Sequence, residues 1–263
     1  MRFNVLASGS SGNATLISTG KTSVLVDCGL SARELVKRVE MVGSRIQDIS
    51  AIIITHEHSD HVRALKTLAK KLNIYVYISP VAFDYLKLTS EPSIKLAEKL
   101  IPNQPFEIGD LQFWSVPVPH DSVDPLVFTI ESKGSKMAIV TDLGYIPKQV
   151  AKYLIGCDAL VLEANHEVEM LRISSYPWAT KQRILGQNGH LSNNEMARFL
   201  REDFDQKAQY LILAHLSEQN NHPELAKLAA MTALNDKTPL FASLAENRVL
   251  TAFPDRPLGW IDL

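Results

Sequence analysis

Cysteine is scarce in this 263-residue chain: only Cys28 and Cys157 occur, with no Cys-x-x-Cys spacing. Two thiols cannot build a disulfide scaffold or a thiolate-ligated zinc finger, so a reducing compartment is the default. An excess of one charge is also missing, since 27 Lys and Arg face 29 Asp and Glu, a formal net charge of −2. A polyanionic partner would therefore have to be held by local clusters or metal ions, because a protein-wide positive field is absent. No apolar run approaches the length of a membrane span, and the N-terminal stretch Phe3 to Ala7 turns to small polar residues at Ser8, too early for a signal-peptide core. The expectation is a cytoplasmic protein with no membrane association. What is present is an ordinary globular composition, 46% apolar and 21% charged, which rules out disorder as the main state.

Short apolar or β-branched runs at Phe3 to Ala7, Ala14 to Ser18 and Ser23 to Asp27 are separated by Gly/Ser/Asn-rich turns, the signature of strands and hairpins. Ser31 caps an amphipathic stretch reaching about Met41. Ile49 to Ile54 reads as a buried strand that opens into a polar loop at Thr55 to Asp60, and Val62 to Leu72 carries apolar residues at helical spacing. Tyr75 to Ser79 is the next strand. Strand patterns return at Phe113 to Val116, Leu126 to Glu131 and Met137 to Thr141, the last two joined by a hairpin turn at Ser132 to Ser135. Later elements are a short helix at Pro147 to Leu154, strands at Ala159 to Glu163, Tyr210 to Ala214 and Val249 to Ala252, and helices at Ser192 to Leu200 and Pro223 to Leu234. Ser192-x-x-Glu195 reads as a capping box. No repeat or Pro/Gly-rich linker marks a boundary, so residues 1–263 read as one domain. Periodicity fixes a mixed α/β class, and two packed β-sheets with helices on their outer faces, an αββα sandwich, is the suggested architecture.

The segment His56-Glu57-His58-Ser59-Asp60-His61 places four potential metal ligands within six residues at the end of a buried strand. At this composition, a His-x-His-x-Asp-His match is expected by chance about four times in ten thousand such chains. In extended backbone His56 and His58 project to one side, while a turn into the following helix lets Asp60 and His61 address a second ion. Further ligands should also lie just past strand ends. His120, Asp142 and His215 each follow such a run, and Asp142 has two oxygens with which to bridge two ions. On its own Asp142 reads equally well as a turn aspartate, and Glu163 and His190 read as cap or surface residues.

In this order, and with Asp27 closing an early strand, these residues resemble the metallo-β-lactamase superfamily. The flanking segments Ala7 to Ala14, Val26-Asp27-Cys28-Gly29, Leu162 to His166, Gly189-His190-Leu191-Ser192, Ala214-His215-Leu216-Ser217 and Asn220-Asn221 are similar to its VicX/YycJ-type branch, which is associated with 5′-to-3′ exonuclease action on DNA. The resemblance implies that His56, His58 and His120 hold one metal ion. It assigns Asp60, His61 and His215 to the other, with Asp142 bridging and Asp27 behind them orienting ligands. Glu163 and His190 match the extra carboxylate and histidine of nucleic-acid-processing members. Only 48 positions separate Asp142 from His190, too few for the large cap of the β-CASP nucleases, and no long insertion resembles the exosite arm of transfer-RNA 3′-processing enzymes.

The implied cofactors are two divalent ions, zinc first, with manganese or iron as alternatives. The implied reaction is metal-assisted phosphodiester hydrolysis of nucleic acid, DNA ahead of RNA, with Asp60, Glu163 and His190 as catalytic residues and His190 acting on the departing oxygen. A hydrolase of thioesters, lactones or cyclic phosphodiesters and a metal-stabilised regulatory protein are the rival readings. Several features have two readings each. The Ser8 to Asn13 turn approaches a phosphate or is only a permissive hairpin loop. Arg63, Lys66, Lys70 and Lys71, with Lys181 and Arg183, track a phosphate backbone or form solvated faces. Trp114, Tyr176 and Trp178 stack on bases or belong to the core. The two cysteines read as buried thiols, and His166 and His222 as supporting or surface residues.

Overall fold

The computed structural model of the chain describes residues 1–97, 100–237 and 248–263. Among these, the strands are β1 (Arg2–Ala7), β2 (Ala14–Ser18), β3 (Ser23–Val26), β4 (Ala51–Ile53), β5 (Tyr75–Tyr77), β6 (Lys95–Leu96), β7 (Pro105–Ile108), β8 (Leu111–Pro117), β9 (Leu126–Ser132), β10 (Ser135–Val140), β11 (Ala159–Glu163), β12 (Tyr210–Ala214), β13 (Val249–Thr251) and β14 (Ile261–Asp262). They form two mixed β-sheets flanked by helices, as the sequence suggested. The chain divides into two compact units, the first comprising Met1–Pro117, Ser122–Ser135 and Phe253–Leu263, the second Val118–Asp121 and Lys136–Ala252.

In the first unit the sheet runs β14-β1-β2-β3-β4-β5-β6. β14, β1, β2 and β3 pair antiparallel, whereas β3 to β6 are parallel. Parallel neighbours need crossovers, which α1 (Ala32–Met41) supplies between β3 and β4. Ser31 caps α1 by accepting a hydrogen bond from the Glu34 amide, and Leu35 and Val39 turn its apolar face into a core with Leu6, Leu16, Leu25 and Ile52. Between β4 and β5 the expected single helix from Val62 is two pieces, α2 (Ser59–Val62) and α3 (Leu65–Leu72). The break falls where the Ala64 amide donates to the Cys28 carbonyl (2.9 Å) instead of continuing the helical ladder. The strand expected to Ser79 stops at Tyr77, because Ser79 caps α4 (Pro80–Tyr85). β7, β8 and β9 form an antiparallel meander. Lys133 and Gly134 after β9 both have positive φ (50° and 84°), the backbone of a tight type I′ turn at the expected place.

The second unit holds four parallel strands, β10-β11-β12-β13. The central run Ala-Leu-Val-Leu-Glu of β11 is buried along its whole length, and β10 and β12 along most of theirs, as strands covered on both faces must be. The unit's helices are α5 (Lys148–Leu154), α6 (Val168–Ile173), α7 (Trp178–Leu185), α8 (Asn193–Glu202) and α9 (Pro223–Lys237). α8 starts as predicted, with the Ser192 hydroxyl accepting from the Glu195 amide. Neither α6 nor α7 announces itself in the sequence, since only Leu171 in α6 and no residue of α7 is buried.

Candidate metal centre

In the first unit, β3 and β4 are parallel neighbours and both end where the candidate ligands begin. Asp27 follows β3 in the left-handed region (φ 60°), a conformation that costs an L-residue about 1–2 kcal/mol and has to be held by its surroundings. Its carboxylate does the holding. Oδ1 accepts from the Thr55 amide (2.9 Å), and Oδ2 accepts from the Thr55 hydroxyl (2.9 Å) and from His61 Nδ1 (2.8 Å). Thr55 Oγ1 in turn lies 3.0 Å from His56 Nδ1. His58 then occupies the cap position of α2, so Asp60 and His61 fall in that helix's first turn. The His56 ring centroid lies 4.6 Å from that of His58 and 4.1 Å from that of His61. Asp60 Oδ2 is 3.5 Å from His61 Nε2.

Two supports in this half were not singled out by sequence reasoning. Asn13, in the Ser8 to Asn13 turn, donates its backbone amide to the Asp60 carbonyl (2.8 Å) and extends Nδ2 to Asp60 Oδ2 (3.3 Å) and His61 Nε2 (3.0 Å). Here that turn braces Asp60. Gly29 lies so close that a Cβ there would sit 1.5 Å from the Asp60 carbonyl oxygen, so glycine is obligatory. Their segments carried the family resemblance and the Gly and Asn enrichment of turns, but neither signal gave either residue a role. Two of the three cations of α3 are spent locally: Lys66 and Lys70 both pair with Glu91. Cys28 is a buried thiol, and burial pushes its pKa well above the ordinary value.

In the second unit, Asp142 follows β10, Glu163 ends β11 and His215 follows β12, so the three lie at the same edge of one parallel sheet, where crossing connections leave room for ligands. Asp142 (φ 63°) and His215 (φ 54°) repeat the left-handed backbone of Asp27. Glu163 is fully buried and organises the group. Oε1 accepts from His190 Nδ1 (2.8 Å) and His215 Nδ1 (3.0 Å), and Oε2 accepts from the Leu143 (3.1 Å) and Leu191 (3.2 Å) amides. Burial alone would raise the Glu163 pKa, but the two adjacent rings outweigh it and hold the carboxyl well below the usual range. Asp142 Oδ1 lies 3.5 Å from His215 Nδ1, 3.7 Å from His190 Nδ1 and 4.0 Å from His120 Nε2. Asp142, Glu163, His190 and His215 offer ligand atoms that all fall within 4.8 Å of one another. His120 donates Nδ1 to the Gly189 carbonyl (3.0 Å), and burial lowers its pKa.

These side chains suit a divalent cation. His56, His61, His120 and His215 each have Nδ1 tied to an oxygen, which fixes the ring and leaves Nε2 as the nitrogen that could meet a cation. Borderline imidazole and hard carboxylate donors in a buried setting match zinc, manganese or iron rather than calcium or magnesium. His166 is buried as well, and desolvation holds its pKa down at about 4. His222 lies on the surface beside Glu224.

Two mixed sheets with a His-x-His-x-Asp-His turn at a strand end define the class, and the match to known families agrees with it. The β-lactamase superfamily domain matches residues 22–216, and the chain belongs to the metallo-β-lactamase superfamily. Within it, exodeoxyribonuclease YycJ of Bacillus anthracis is 34% identical over 249 residues, covering 90% of each protein. Exodeoxyribonuclease WalJ of Streptococcus pneumoniae is 34% identical over 240 residues, covering 89% of this chain and 88% of that one. These relatives put the chain in the VicX/YycJ branch. Among solved structures, the metallo-β-lactamase fold protein YhfI from Bacillus subtilis has a TM-score of 0.72 at 20% identity, covering 97% of this chain and 98% of its own. PqqB from Methylobacterium extorquens has a TM-score of 0.72 at 16% identity, with complete coverage of both.

Proposed function

We propose that residues 1–263 act as one metallo-β-lactamase-like domain whose activity is metal-dependent hydrolysis of DNA, removing nucleotides from the 5′ end. The observation that carries this reading is Glu163, buried and bonded at once to His190, His215 and two backbone amides, an arrangement beyond what metal ligation requires. The exodeoxyribonuclease names of relatives 34% identical over nine-tenths of the chain point the same way.

In the proposed site, His56, His58 and His120 would hold one ion and Asp60, His61 and His215 the other, with Asp142 serving both. Zinc is the proposed ion. When bound, such a pair supplies positive charge that acidifies a water molecule and neutralises charge developing on a phosphoryl group. Asp27 fixes His61 through Nδ1. Glu163 does the same for His190, so that His190 Nε2 is the atom left to hold a proton or deliver one to the departing oxygen. The left-handed Asp27, Asp142 and His215 backbones are consistent with strain maintained for function. No helix among the described residues is long and apolar enough to cross a membrane, and with two buried free thiols we place the protein in the cytoplasm.

The test is digestion of end-labelled single- and double-stranded DNA and RNA with Zn²⁺, Mn²⁺ or a chelator. The expected result is metal-dependent shortening of DNA from the 5′ end that the chelator abolishes. Intact DNA under every metal, or hydrolysis confined to thioesters or lactones, would overturn the reading.

A further inference from the structure

α7 poses a problem that the metal centre does not solve. A surface helix normally stays in place by burying an apolar stripe, yet α7 buries none of its eight side chains. Its hold on the second unit is through backbone and ions instead. The Ile184 carbonyl accepts from the His190 amide (3.0 Å), and Arg183 Nε donates to Asp121 Oδ2 (2.9 Å) next to His120. The loop that ends α7 is seated on two glycines beside candidate site residues. A Cβ on Gly144 would come within 2.1 Å of the Gln187 carbonyl oxygen, and one on Gly189 within 2.1 Å of that of Ile184. Lys181 Nζ closes the α6–α7 hairpin by donating to the carbonyls of Arg172 (2.7 Å) and Ser174 (2.6 Å).

The hairpin is thus fastened to the segments that carry His120, Asp142 and His190, and it leaves two large apolar side chains, Ile173 and Trp178, in solvent. Trp178 is 67% exposed and Ile173 84%. An exposed tryptophan and isoleucine on one hairpin call for a partner, and the charge says which kind. Across the hairpin, Val168 to Leu185, Arg172, Lys181 and Arg183 supply three cations against one carboxylate, Glu169, in a chain whose net charge is −2. Arg172 and Arg183 each have one carboxylate neighbour and stay more than half exposed, with guanidinium N–H groups left for phosphates. A flat aromatic beside an excess of cations suits a single nucleic-acid strand, whose bases stack and whose backbone is anionic. It suits a second copy of this chain less well, because like cations would be brought together.

We propose that the α6–α7 hairpin is the platform on which the single-stranded part of the DNA substrate rests, with an unpaired base stacked on Trp178 and the backbone passing Arg172 and Arg183. The proposal rests on the nuclease reading and adds the surface that selects a single strand. The test uses the full-length, metal-loaded protein and single-stranded oligodeoxythymidylate. For Trp178→Ala the Michaelis constant should rise about ten-fold with kcat within two-fold, as expected for the loss of one base stack. Trp178→Phe should recover most of the affinity, Ile173→Ser should show a smaller rise, and Leu228→Ala at an exposed position of α9 should show none. Binding of the same fluorescent oligonucleotide to the His190→Ala protein, with and without Trp178→Ala, reads affinity independently of turnover.

Native affinity in Trp178→Ala, with DNA still degraded, overturns the platform and leaves the nuclease reading standing. A change in solution mass on Trp178→Ala with no change in DNA affinity also overturns it, since the face would then join two copies. A wild-type protein that neither degrades nor binds DNA removes both.

Discussion

The two regions that carry the candidate ligands are built on opposite plans. In the first unit, His56, His58, Asp60 and His61 come from one turn of chain, with Asp27 bracing His61 directly and His56 through Thr55, and Asn13 and Gly29 packed behind Asp60. In the second, His120, Asp142, Glu163, His190 and His215 come from five separate segments, and a single buried carboxylate, Glu163, ties three of those segments together. A contiguous cluster can be held by local backbone geometry. A dispersed one needs a buried hub, and the cost of burying Glu163 is offset by four hydrogen bonds, two from imidazole rings and two from backbone amides.

That contrast can be broken experimentally. The largest effect is expected from Asp142→Asn, which should lose bound metal together with activity, by about 10³-fold or more if the shared carboxylate supplies several kcal/mol of charge stabilisation. Next comes His190→Ala, for which kcat should fall about 10²- to 10⁴-fold while metal content stays near that of the wild type. Elemental analysis alongside turnover separates these two. Removing the first unit's brace should act differently. Asp27→Asn leaves an acceptor for the Thr55 amide but opposes an amide donor to His61 Nδ1, so metal affinity should fall about 10- to 100-fold and excess metal should restore turnover. The smallest effect is expected in coupling. Glu163→Gln combined with His190→Ala should be far from additive because the two groups touch, whereas Asp27→Asn combined with His190→Ala should be nearly additive. Additivity in the first pair would mean that Glu163 is not a hub.

How much was legible in the sequence follows the same division. The contiguous motif could be read directly, because residues two apart in extended chain share a side and the next turn of helix brings in the rest. His120, Asp142 and His215 were legible only as polar residues that close apolar strand runs. Glu163 and His190, which look like cap residues in isolation, became candidates only through family resemblance, and their 2.8 Å contact is a tertiary fact. Asn13 and Gly29 were hidden because their importance lies in an approach to Asp60 from a distant turn. Among the elements, α1, α8 and the buried strands carried their periodicity openly. The break at Ala64 did not, since it depends on the Cys28 carbonyl, and α7 has no apolar stripe to show.

The most direct test is the metal content of the purified wild-type protein and of Asp142→Asn, measured by elemental analysis after equilibration with zinc. Two ions per wild-type chain and loss of bound zinc in the variant are the predicted result. Full retention of zinc by Asp142→Asn would contradict the account.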